Sequence, residues 1–200
     1  MRQGPFSGLL IWAVLSAAIA VPLIAAGFSP QLQWRDPVYI VAGFAGILGM
    51  ALMLVQPLLA GQYLPGLTPL RARRVHRLIG ASLIVAVVVH VAALWITSPP
   101  DVVDALLFVS PTPFSVWGVL AMWAIFASGV IAVYRHRFGL RLWRLAHTAL
   151  VVVIVAGTIV HALLIDGTME TVSKIALSVL VAAATIRTIA RLRPWARFRR

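Results

Sequence analysis

Five histidines, His76, His90, His136, His147 and His161, are the side chains of this sequence best suited to chemistry. His76 and His90 stand 14 residues apart, and so do His147 and His161. On an α-helix, 14 steps fall about 40° short of four turns, so each pair shares one face. The rise per residue separates the two members by roughly 21 Å along the axis. Two such helices running the same way through a membrane set His76 level with His147, and His90 level with His161. Two facing imidazoles at each of two levels are what two six-coordinate haem irons require. A zinc or copper site wants three or four ligands converging on one point, and each level supplies two. Taken singly, each histidine also reads as an interhelical hydrogen-bond partner, a headgroup-level residue or part of a proton relay. The repeated interval favours the ligand reading. His136, in a basic loop with no matching partner, reads as solvated or headgroup-bound.

The elements that position these rings follow from composition. Of 200 residues, 62% are apolar and only 11% are charged, whereas soluble chains carry about 25% charged residues. The sequence predicts an all-α, six-helix transmembrane bundle forming a single domain over residues 1–200. The spans are about 6–28, 38–60, 75–96, 115–134, 145–165 and 172–189, each near one bilayer crossing. The first exceeds the h-region of a signal peptide and reads as an uncleaved helix. The last is flanked by Lys174 and Arg187, both expected to snorkel towards headgroups. The absence of Cys excludes disulfides, thiolate metal sites and Cys nucleophiles.

The formal charge of +12 does not indicate nucleic acid, because the arginines cluster between apolar runs. Arg71, Arg73, Arg74 and Arg77 lie between spans two and three. Arg135, Arg137, Arg141 and Arg144 lie between four and five, and Arg191, Arg193, Arg197, Arg199 and Arg200 follow the sixth. The other loops hold all five acids, Asp36, Asp101, Asp104, Asp166 and Glu170. The positive-inside rule therefore predicts that both termini and the arginine loops are cytoplasmic. Trp34, Trp95 and Trp117 at the outer boundary, with Trp143 and Trp195 at the inner one, read as an aromatic belt. Pro22 is expected to bend span one. Gly43, Gly46 and Gly49 read as helix-packing positions. Gly80 and Gly157, one turn from His76 and His161, read either as room for a flat macrocycle or as ordinary packing. No internal repeat stands out.

With these residues in view, the sequence resembles the ferric-reductase transmembrane family. The resemblance rests on Arg74-Val-His76-Arg77-Leu-Ile-Gly80 running to His90, and on Arg141-Leu-Trp143-Arg144-Leu-Ala-His147 running to His161. It covers roughly spans two to six and implies two b-type haems, with His76 and His147 on one iron and His90 and His161 on the other. Arg74, Arg77 and Arg144, together with Arg73 and Arg141, stand at the inner level to pair with anionic propionates. At the outer level only Lys174 is near in sequence. Cytochrome b of quinol-oxidising complexes also carries two such pairs, but none of its quinol-site motifs is present. The sequence also lacks a Gly-rich dinucleotide loop. The resemblance therefore implies a stand-alone haem subunit of a bacterial inner membrane. Its donor would be a separate cytoplasmic flavoprotein, supplying flavin through a partner, or a membrane quinol, and its acceptor would lie outside. The alternatives are a single-haem subunit of a larger reductase complex and a non-redox membrane scaffold or transporter subunit. No clustered carboxylates or Ser–His–acid arrangement suggests a hydrolase.

Overall fold

Lipid offers no hydrogen bonds to a backbone, so an apolar chain that crosses it must satisfy its amides internally, as helices do. The computed structural model describes residues 5–193 and is helical throughout, with no strand among those residues. Seven α-helices follow in order: α1 Pro5–Gly27, α2 Pro37–Ala60, α3 Pro69–Thr97, α4 Pro99–Leu106, α5 Pro113–Val133, α6 Leu140–Leu164 and α7 Thr171–Leu192. All but α4 are long and apolar enough to span a bilayer. The six-helix all-α bundle is therefore the observed architecture.

Local chemistry sets the helix ends more sharply than hydropathy does. Helices α1 to α5 each begin with proline, whose missing N–H costs nothing in the first turn. Asp36 accepts from the Val38 amide at 2.7 Å, Thr68 from Arg71 at 3.3 Å, and Glu170 from Ser173 at 3.2 Å. The Thr68 cap accounts for the longer α3, whereas α6 outruns its predicted span from Gly139 without a side-chain cap. α3 starts at Pro69 rather than 75, and α6 at Leu140 rather than 145. Both extend through the arginine-bearing segments, because charge ends a hydrocarbon crossing without ending a helix. The short α4 and the 3-10 turns Pro30–Leu32 and Arg135–Arg137 were not anticipated. α1 continues through Pro22, and α2 carries Pro57 one turn from its end.

Packing divides the bundle into two helical hairpins. α3 lies mainly on α2, and α6 mainly on α5, while α7 joins them by packing on α2 and α6. α2 is the most enclosed helix, burying Ile47, Met50, Met53, Leu54 and Leu59 in a core shared with Leu83, Ile125, Ile154, Leu177 and Val181. α3 and α6, by contrast, have no extensive backbone contact with each other. Many apolar side chains stay exposed, among them Phe6, Leu9, Val85 and Val152, as a lipid environment permits.

Lys174 departs from expectation. It does not snorkel: it is buried, and its Nζ donates to the Ile165 carbonyl at 2.6 Å. That carbonyl lies at the C-cap of α6, where a cation meets the negative end of the helix dipole. Arg187 is exposed and lies over the Tyr63 ring. Arg197, Arg199, Arg200 and Trp195 fall outside the described residues.

Candidate functional site

The four paired histidines occupy the facing sides of α3 and α6, and each is pinned through the same nitrogen. His90 Nδ1 donates to the Ala42 carbonyl at 2.7 Å, and His161 Nδ1 to the Phe114 carbonyl at 2.9 Å. His76 Nδ1 donates to the Gln56 carbonyl at 3.3 Å, while His147 Nδ1 meets the Ser128 hydroxyl at 3.1 Å. A carbonyl oxygen can only accept, so three of the four rings carry their proton on Nδ1. Nε2 is then left as a lone-pair donor. This is the usual arrangement of a metal-binding imidazole: one nitrogen oriented by a protein acceptor and the other free to bind.

At the outer level the rings of His90 and His161 lie 6.4 Å apart, centre to centre, with planes at 86°. Two metal–nitrogen bonds of about 2.0–2.1 Å, plus the distance from each nitrogen to its ring centre, sum to roughly 6 Å. The observed spacing therefore suits one metal ion between the two imidazoles. Phe114 adds an edge contact to His161 at 5.7 Å. At the inner level Trp143 stacks on His147 with centres 5.6 Å apart and planes at 14°. No group of three or more His, Cys, Asp or Glu side chains comes together among the described residues. The donor set, two imidazoles per level on two helices with few backbone contacts between them, fits a haem iron.

Some roles read from the sequence change. Trp143 was assigned to the aromatic belt, but it stacks on a candidate ligand, and its Nε1 is buried without a partner. Trp34, Trp95 and Trp117 are exposed, as belt residues should be. Gly157 gives no room beside the histidine. A Cβ there would lie 2.9 Å from the Trp117 carbonyl and 3.2 Å from the Ala121 side chain, so it closes the α5–α6 interface. A Cβ on Gly80 would likewise lie 3.1 Å from the Gln56 side-chain nitrogen. The glycines that touch candidate rings are Gly46, read only as a packing residue, and Gly118, which drew no notice. Among the basic residues, Arg73, Arg74, Arg77 and Arg141 are exposed at the inner end and Arg144 is half-buried. His136 is exposed in the turn Arg135–Arg137.

Sequence reasoning missed the supporting residues Ala42, Gln56, Phe114 and Ser128. Nothing local in the sequence marks any of the four, because each meets its histidine across 19 to 48 residues.

Among known proteins, the family model described as ferric reductase like transmembrane component matches residues 45–158, more than half of the chain. The match runs from α2 into α6, includes His76, His90 and His147, and ends just before His161. No curated protein and no solved structure matches.

Proposed function

The chain belongs to the ferric reductase-like transmembrane family, and on that premise we propose that it conducts electrons across a lipid bilayer through two b-type haems. His90 and His161 would hold the outer iron, and His76 and His147 the inner one. Arg74, Arg77 and Arg144 would pair with propionates at the inner level. When bound, haem b would supply a one-electron couple, and two imidazoles of this chain would hold each iron, a donor set that favours electron transfer over substrate binding. The chain's own contribution is to orient four imidazoles and to fix the tautomers of three of them.

The observation that carries this reading is the outer pair: two Nδ1-anchored imidazoles whose ring centres lie 6.4 Å apart. The proposed direction runs from a cytoplasmic flavoprotein or membrane quinol on the arginine side to an acceptor outside. The positive-inside rule puts both termini in the cytoplasm, and the proposed location is the bacterial inner membrane, with residues 1–200 acting as one transmembrane domain. A single-haem version rests on the outer level alone, where the His90 and His161 rings lie 6.4 Å apart.

The test is a reduced-minus-oxidised absorption spectrum of purified protein, with its haem-to-protein ratio. Two b-type haems are expected. His90→Ala or His161→Ala should lose one, and His76→Ala or His147→Ala the other, while His136→Ala should lose neither. A ratio of one in the unaltered protein selects the single-haem version. Absence of b-type bands in protein expressed with ample haem refutes both.

A further inference from the structure

On the outer level the protein repeats one device on two different helices. The carbonyl that receives His90 belongs to Ala42, and Gly46 follows it by four residues on α2. The carbonyl that receives His161 belongs to Phe114, and Gly118 follows it by four on α5. Within an α-helix each of these carbonyls already accepts the amide of the residue four positions on, which is the glycine itself. Side chains tilt towards the helix N-terminus, so a Cβ at that fourth residue would cover the carbonyl below it. Glycine leaves the second lone pair of the oxygen open from the side. The contacts show how completely the imidazoles use that opening. A Cβ on Gly46 would lie 3.1 Å from His90 Nδ1 and 3.2 Å from its Cε1. A Cβ on Gly118 would lie 2.7 Å from His161 Nδ1 and 2.9 Å from its Cε1. Neither ring can give way without stretching the hydrogen bond that orients it.

We infer that Gly46 and Gly118 are positioning residues for the outer pair: each is a notch that seats an imidazole on a main-chain carbonyl and thereby presents Nε2 to the iron. The inference rests on the two-haem reading and goes beyond it, because it assigns a role to residues that touch no metal. It also separates the two levels. Among the described residues no glycine seats a ring at the inner level, where His147 relies on the Ser128 hydroxyl and His76 on a longer bond. The carbonyl bond makes each outer imidazole more electron-rich, and the ligand's hydrogen bonding in turn tunes the couple at the iron.

The experiment compares full-length protein carrying Gly46→Ala or Gly118→Ala with the unaltered chain and with Gly49→Ala. The added methyl of this control meets Leu83 at 3.7 Å, an ordinary contact. Haem-to-protein ratio, low-spin electron paramagnetic resonance signals and a redox titration are read on each. The unaltered chain and Gly49→Ala should hold two haems. Gly118→Ala, with the closer clash, should lose one and its low-spin signal while keeping the other. Gly46→Ala should lose the same haem, or hold it at a more positive potential because its imidazole has been lifted off the carbonyl. If Gly118→Ala fails to fold, Gly46→Ala decides by the same readouts. Two haems with unaltered signals and potentials in both variants would overturn the inference while leaving the two-haem reading intact. No haem in the unaltered chain would instead remove that reading, and the inference with it.

Discussion

Replacing Ser128 with alanine should weaken haem retention at the inner level and nowhere else. The Ser128 hydroxyl, 3.1 Å from His147 Nδ1, is a side-chain partner and so can be deleted, unlike the main-chain carbonyls that hold the other three rings. Ser128 is buried in the α5 face, so no water readily takes its place. Loss of a partner that orients a metal-binding histidine typically costs 10–100-fold in affinity. A single neutral hydrogen bond is worth about 1 kcal/mol, which argues for the lower end. The expectation is roughly a tenfold loss, or about 1.4 kcal/mol. The assay is transfer of haem from detergent-solubilised protein to an excess of a high-affinity scavenger, followed by absorbance. Working in a His161→Ala background leaves only the inner pair to report. Release should be about ten times faster in Ser128→Ala, since affinity differences of this kind reside mainly in dissociation. Gln56→Leu serves as the comparison: it removes a side chain but keeps the carbonyl that receives His76, and should change release less. A release rate within about twofold of the unaltered inner site would refute the idea that Ser128 orients His147.

Two further outcomes test the scaffold around the site. Lys174→Met should destabilise the fold by about 2 kcal/mol, because it removes a charge-assisted bond to the Ile165 carbonyl while nearly preserving volume. Equilibrium unfolding in mixed micelles measures this, and an unchanged midpoint would show that the bond contributes nothing. Gly157→Ala should cost about 1–3 kcal/mol by overpacking, since its methyl meets the Trp117 main chain, which cannot rotate away. Gly27→Ala, where nothing lies within 4 Å, should be neutral in the same assay.

The properties that sequence made legible are those that depend on nearby residues. Hydropathy over some 20 positions marked six crossings, and the structure has six helices of that kind. The 14-residue interval between paired histidines is a helical-face argument needing only 3.6 residues per turn. It set His90 level with His161, and their ring centres lie 6.4 Å apart. Helix ends were less legible at α3 and α6, because an arginine stops a hydrophobic run while a helix runs on to its cap. Lys174 was misjudged for a related reason. Its position at a span end suggested water, and only the arrival of the α6 C-terminus beside it supplied a buried acceptor.

What decided the rest was contact between residues far apart in the chain. His90 reaches a carbonyl 48 residues away, and His161 one 47 residues away. No local pattern says which of this chain's glycines will face an imidazole. Gly46 and Gly157 look alike as small residues on apolar helices, yet one seats a candidate ligand and the other closes a helix interface. Trp143 looks like an interfacial anchor until its indole is found stacked on His147. Periodicity chooses the face of a helix, and hydropathy chooses its depth. Which backbone oxygen and which neighbour meet that face are settled by the rotation and separation of packed helices, and these exist only once the hairpins have closed.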